Sequence, residues 1–248
     1  MRKSAVRLLA VLMAVCLLPA AGCGKKNELV VESYTDENGN VVYSSREAGD
    51  IDKRENNFAP AKAGIFVRVD GTVTGANVEK FDTGEYSESG LKEFVQKHLE
   101  EYNKETSKIT VGGDTYAVGG KDAVKLNSLS VKNDMATLLL DYKSCADYLA
   151  FNCEDPEALK DGGEVFWIRS VADAQKSGVT FENMKTADGQ DVSAEEIGKN
   201  AQYHVVAVDF GASMQLHGEV VFASSGVKVT DPTHVETTGG SISYIIFK

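Results

Sequence analysis

An α+β fold, mainly antiparallel sheet built from hairpins, is predicted by three features of this chain. Apolar and polar residues alternate in short runs, Asp-Gly and Asn-Asp pairs separate those runs, and one window, Leu91 to Tyr102, changes to steps of three and four residues. Alternation at period two is the pattern of a half-buried strand, and the longer step is that of a helix with one buried face.

The first run, Leu29-Val30-Val31, faces Val41-Val42-Tyr43 across Asn38-Gly39, a pair suited to a tight hairpin turn. A lone two-stranded hairpin is marginal in water, so it needs the main body to dock on. Otherwise residues 23–62 are polar and read as a flexible tether. The body, residues 63–248, opens with alternating Ile65, Val67 and Val69, turns at Asp70-Gly71, and resumes at Val73 toward Val78 and Phe81.

Leu91, Phe94, Val95, Leu99 and Tyr102 then share one helical face, with Lys92, Glu93, Lys97, Glu100 and Glu101 on the other. A looser stretch carries Gly112-Gly113 and Gly119-Gly120. A second hairpin follows, from Val124 through Val131 to Asn133-Asp134 and back along Met135 to Tyr142. Its Leu138-Leu139-Leu140 run predicts a strand covered on both faces.

Ser144 caps a short helix bearing Tyr148, Leu149 and Phe151, and Asp155-Pro156 starts another turn that Gly162-Gly163 ends. A seam between two subdomains is expected near position 162. Beyond it come a strand from Glu164 to Arg169, a helix from Ser170 to Ser177 closed by Gly178, and a strand from Phe181 to Lys185. Ser193 with Glu196 has the spacing of a capping box. Strands are expected at Tyr203–Phe210, Leu216–Phe222, Val227–Val229 and Ile242–Phe247.

The N-terminus carries an address. Arg2, Lys3 and Arg7 precede an apolar run of eleven residues, Leu8 to Leu18, and no acid occurs before Glu28. At about 1.5 Å per residue such a run covers roughly half of a 30 Å hydrocarbon core, too little to span it. It reads as the apolar region of a signal peptide, residues 1–22. Leu18-Pro19-Ala20-Ala21-Gly22-Cys23 then resembles the lipobox of bacterial lipoproteins, with Ala20 where leucine is commoner. That resemblance implies cleavage before Cys23, diacylglycerol on its sulfur, and residence on the outer face of the cytoplasmic membrane. Two acyl chains hold a protein far more durably than one, and Lys25 and Lys26 add about 1 kcal/mol each at most toward anionic headgroups.

A second resemblance lies in Tyr142-Lys143-Ser144-Cys145-Ala146-Asp147-Tyr148 with Phe151-Asn152, and in Val165-Phe166 with Ser170-Val171-Ala172-Asp173-Ala174 and Gly178. These segments are similar to small uncharacterised lipoproteins of Gram-positive anaerobes. The resemblance implies a compartment and carries over no activity.

The formal charge of the whole chain is −11; without the three cations of residues 1–22 the mature protein stands near −14. Nucleic acid and anionic wall polymers are repelled by such a surface. After cleavage and lipidation only Cys145 and Cys153 remain. An intact helix between them separates their α carbons by about 12 Å, beyond the roughly 7 Å that a disulfide spans, so a bridge requires that helix to break early. Export keeps the bridge open as a possibility.

Catalytic and metal motifs fail on inspection. Gly120-Lys121 is followed by Asp122, with threonine at 115, so the phosphate-cradling spacing is missing. Gly211-Ala212-Ser213-Met214-Gln215 lacks the second glycine of a hydrolase elbow and reads as a hairpin loop. On that register His204 faces Val220 and His217 faces Ala207, about 10 Å apart and on opposite faces, too far to share a ligand. Asp36-Glu37-Asn38-Gly39-Asn40 lacks the glycine and distal glutamate of a calcium loop. No residue is therefore assigned a catalytic or metal-binding role, and no cofactor is implied.

The expectation is a membrane-tethered, non-enzymatic binding or interaction module whose partner is an extracellular protein, a wall component or a small ligand. A cell-envelope hydrolase or transferase with dispersed Asp, Glu, Ser and His residues is the alternative. A solute receptor with two doubly wound lobes is disfavoured because the βαβ alternation is absent.

Overall fold

The computed structural model describes residues 29–35, 41–47, 58–153, 159 and 164–248. The signal run, Cys23, the Asp36–Asn40 stretch, the Asp155-Pro156 turn and Gly162-Gly163 lie outside the described residues. Among the described residues strands predominate, in largely antiparallel sheets, and four helices accompany them.

A four-stranded sheet contains β1 (Leu29–Thr35), β2 (Val41–Glu47), β5 (Thr106–Val111) and β6 (Asp114–Gly119), in the order β1-β2-β6-β5. The expected first hairpin is present, with Thr35 opposite Val41 and Leu29 opposite Glu47. It docks through a parallel pairing of Val42 and Tyr43 with Thr115 and Tyr116. The boundary drawn at residue 63 from composition therefore leaves outside the body two strands that belong to one of its sheets. The loose reading of the Gly112-Gly113 region is corrected too. Both glycines have positive φ and form the tight turn of the β5–β6 hairpin, a conformation they adopt without the steric cost other residues bear.

A seven-stranded sheet runs β15-β16-β13-β3-β4-β8-β7. Its members are β3 (Gly64–Val67), β4 (Val73–Lys80), β7 (Val124–Lys132), β8 (Met135–Tyr142), β13 (Ser213–Leu216), β15 (Val227–Asp231) and β16 (His234–Thr237). The Asp70-Gly71 and Asn133-Asp134 turns close its hairpins as expected, with Gly71, Asn133 and Asp134 all at positive φ.

The six-stranded sheet, ordered β11-β10-β14-β17-β12-β9, comes wholly from the C-terminal part. It holds β9 (Phe166–Ser170), β10 (Met184–Thr186), β11 (Asp191–Val192), β12 (His204–Phe210), β14 (Val220–Ser224) and β17 (Gly239–Phe247).

The C-terminal pairing differs from the one expected. The single strand predicted over Leu216–Phe222 is two strands, β13 and β14, in different sheets. Gly211 and Ala212 form no hairpin loop; they carry the chain from the six-stranded sheet to the seven-stranded one. There β13 pairs in parallel with β3, Met214 opposite Ile65, a partner some 150 residues earlier in the chain. His204 faces Phe247 and Ser170, not Val220. The expected pairing of the strands that carry His204 and His217 is thus overturned: β12 buries all four of Val205, Val206, Ala207 and Val208 and takes β17 and β9 as its neighbours.

Helix α1 (Glu88–Tyr102) follows the predicted face, with Leu91, Val95 and Leu99 buried and Ser87 accepting a bond from the Gly90 amide. It lies against β7. Helices α2 (Cys145–Asn152), α3 (Val171–Lys176) and α4 (Ala194–Gly198) each begin after a serine whose hydroxyl accepts a backbone N–H three residues on. At α4 the capping box is only half formed: Ser193 caps, while the Glu196 carboxylate turns to Lys199, 2.9 Å away. Among the described residues no helix is long and apolar enough to cross a membrane.

One large core joins residues on both sides of position 162, from Ile65 and Leu138 to Phe166, Val206 and Phe247. The seven-stranded sheet likewise draws strands from both halves, so the expected seam does not separate two independent cores. Leu138 and Leu140 enter this core, whereas Leu139 joins Phe58, Phe66 and Ala76 in a second, smaller cluster, as a strand covered on both faces requires.

Candidate functional site

A buried polar arrangement is built on the start of α2. Ser144, extended in backbone, accepts the Asp147 amide at 2.9 Å and donates its hydroxyl back to the Asp147 carboxylate at 2.7 Å. The same carboxylate accepts the Gly119 amide at 2.9 Å and the Tyr102 hydroxyl at 3.0 Å. One side chain thereby ties α2 to the end of β6 and the last residue of α1. Gly119 occupies positive φ there, and a Cβ at that position would collide with the Glu105 carbonyl.

Asp147 is only 2 % exposed. Burial pushes its carboxyl above the usual range, against the opposing pull of the Gly119 amide, the Ser144 and Tyr102 hydroxyls and the Lys143 charge. Tyr102 is pushed up as well, by burial first and then by the neighbouring carboxylate. Lys143 moves down, because half-burial outweighs the attraction of Asp147 and Asp122.

The other Ser-x-x-Asp start shows what the surroundings contribute. Ser170 and Asp173 make the same reciprocal pair, at 3.0 and 2.7 Å, at the N-terminus of α3. Asp173 faces solvent, and the Ser170 hydroxyl and the Lys176 ammonium hold its carboxyl below the ordinary value. Identical local chemistry gives opposite shifts because only Asp147 is removed from water.

Beside α2, aromatic rings form a continuous chain. Tyr102 meets Phe151, Phe151 meets Tyr142, Tyr142 meets Tyr148, and Tyr148 meets Phe166 and Phe210, with centroids 5.1 to 6.3 Å apart. This chain joins the seven-stranded sheet to the six-stranded one. Gly75 makes room for it: a Cβ there would lie 3.0 Å from the Tyr142 ring and 3.1 Å from that of Tyr148.

A second polar centre bridges β6 and β9. Arg169 pairs with the Asp114 carboxylate, donates to the Tyr116 and Ser177 hydroxyls at 3.0 Å, and lies over Trp167, 4.5 Å from the ring centroid. Its side chain is 6 % exposed, so the ion pair is largely withdrawn from solvent. Such a pair stabilises little in net terms but is costly to break by removing one partner. It acts as a registration pin between the four-stranded and six-stranded sheets.

Compared with family models, with curated proteins and with solved structures, the chain matches none.

The residues singled out from the sequence do not converge. His98 stacks on Phe94 at 4.7 Å, His217 lies nearly perpendicular to the Phe66 ring at 6.1 Å, and His234 shares a hydrogen bond of 2.9 Å with Asp231 at an exposed turn. His204 lies 5.7 Å from the Phe247 ring, and half-burial lowers its pKa. Among the described residues, neither the His204 nor the His217 ring is hydrogen-bonded to a serine hydroxyl or a carboxylate, and no group of three or more His, Cys, Asp and Glu side chains is placed to hold a metal ion.

Cys145 and Cys153 are not bonded to each other; the helix between them runs unbroken to Asn152. Burial pushes the Cys145 thiol well up, so its thiolate is suppressed. The sequence reading passed over Asp147, Tyr102, Asp114 and Arg169. The detectable signal was the Ser-x-x-Asp spacing after a strand, which marks the helix start but not the burial of one of the two aspartates.

Proposed function

We propose that this chain is an extracytoplasmic lipoprotein, held at the outer face of the cytoplasmic membrane by diacylated Cys23, whose α+β body is a non-enzymatic binding module. The observation that carries the reading is the run Leu18-Pro19-Ala20-Ala21-Gly22-Cys23 behind a short apolar segment with cationic flanks. The binding role, for an extracellular protein, a wall component or a small ligand, is supported by how the buried ionisable groups are used. Asp147, Tyr102, Arg169 and Asp114 each bond to groups on other elements and so fasten the body together. The Cys145 thiol is kept protonated by its surroundings. A mature charge near −14 directs the choice of partner toward cationic or neutral surfaces and away from nucleic acid.

Intact-mass analysis of the protein isolated from its native membrane tests the location. The expected species lacks residues 1–22 and carries a diacylglyceryl group on Cys23, and Cys23→Ala releases the body from the membrane fraction. Retention of Met1 to Gly22, or an unmodified Cys23, overturns the reading.

A further inference from the structure

The position of the first hairpin determines how far the body can stand from its anchor. Cys23 precedes Leu29, the first residue of β1, by six positions, and precedes Phe58, which packs in the smaller core cluster with Phe66 and Leu139, by thirty-five. A chain spans at most about 3.3–3.6 Å per residue, so the first interval reaches roughly 20 Å and the second on the order of 120 Å. Which interval acts as the tether depends on one contact, the parallel pairing of Val42 and Tyr43 with Thr115 and Tyr116. While that ladder holds, β1 and β2 are part of the sheet that contains β5 and β6, and the six-residue interval is the tether.

We propose that the lipidated protein uses this pairing to hold its body against the bilayer, with β1, the edge strand of the four-stranded sheet, nearest the phosphate headgroups. The inference rests on lipidation of Cys23 and adds to it a geometry. Lys25 and Lys26 lie inside the six-residue interval and favour an anionic headgroup surface. The body, with its large excess of acids, is repelled by the same surface. A short tether therefore works against a standing repulsion, and a lengthened one lets the body move away.

The full lipidated chain in vesicles of phosphatidylglycerol and phosphatidylcholine tests this. A donor fluorophore is placed at Lys108→Cys, an exposed position on β5, in a Cys153→Ser background, and the acceptor is a headgroup-labelled lipid. Neighbouring strands lie about 4.8 Å apart, so β5 stands about 15 Å from β1 and within energy-transfer range of the headgroups. Two variants lengthen the tether by different routes. One inserts twenty Gly and Ser residues after Lys26; the other replaces Val42 and Tyr43 by proline, which removes ladder donors. Each is expected to lower the transfer rate at least two-fold, with β5–β6 and the rest of the body still melting cooperatively.

Unchanged transfer in the insertion variant overturns the inference. Transfer lost in the insertion variant but kept in the double-proline variant shows that the β2–β6 ladder does not set the tether, and overturns it as well. A protein that fails to sediment with vesicles at all contradicts lipidation itself, and that result is distinguishable from either.

Discussion

Asp147→Ala is expected to be among the most damaging substitutions in this protein. It removes the acceptor of the Gly119 amide and of the Tyr102 hydroxyl, at 2.9 and 3.0 Å. The Ser144 hydroxyl also loses its acceptor, but it still accepts the residue 147 amide and is only half-buried, so its proton can turn to water. Two donors lose their partner in a buried place, and each costs about 1–3 kcal/mol. Tyr102 recovers part of this through the Asp147 carbonyl, 3.5 Å from its hydroxyl, and the cost of burying a carboxylate disappears. The net loss is therefore about 2–4 kcal/mol, equivalent to a fall in Tm of roughly 5–15 °C for a body of this size.

Urea unfolding followed by tryptophan fluorescence measures it, since Trp167 is buried in the same core. A change below about 0.5 kcal/mol refutes the claim that this carboxylate joins three elements. The pH dependence sharpens the test. Burial raises the folded-state pKa above the unfolded value, so protonation favours the folded state. That contribution is complete below the unfolded pKa and is lost as pH rises through the folded one. The advantage of wild type over Asp147→Asn is accordingly greatest in acid and shrinks toward neutral pH.

Three further outcomes are expected. Gly75→Ala forces a methyl to 3.0–3.1 Å from the Tyr142 and Tyr148 rings and destabilises by about 1–3 kcal/mol, read as a lowered urea midpoint with unchanged slope. Cys145 resists alkylation by a maleimide in the folded protein and reacts fully in denaturant, because its thiol is buried and its pKa raised; prompt native labelling at Cys145 contradicts the packing of α2. Ser170→Ala removes the hydrogen bond that does most to depress the Asp173 pKa, so carboxyl titration followed by NMR moves up toward the ordinary range. In wild type the stability linked to Asp173 is present above the unfolded pKa and is lost as pH falls through the folded one, and the variant shows less of that loss.

Elements whose pattern is local were readable in advance. The α1 face, the Asp70-Gly71 and Asn133-Asp134 hairpins and the three serine caps each depend on residues within a few positions of one another, and each occurs as expected. The β5–β6 hairpin was missed because Thr106, Ser107, Lys108 and Thr110 dilute its apolar alternation, although the Gly112-Gly113 turn marked it. The polar centres were less legible still. Ser144-x-x-Asp147 and Ser170-x-x-Asp173 look alike as strings and differ only in what the fold places above them.

By itself the sequence determined the acidic charge, the alternation that makes strands and the spacing that makes α1, since these depend on composition and on neighbours along the chain. Only the tertiary structure decided which strands pair. It set β13 beside β3, separated β12 from the two strands that follow it, and carried the first hairpin onto β6. Backbone hydrogen bonds are alike for every strand, so the choice of partner falls to whichever arrangement buries the apolar faces together, and that is a property of the whole molecule.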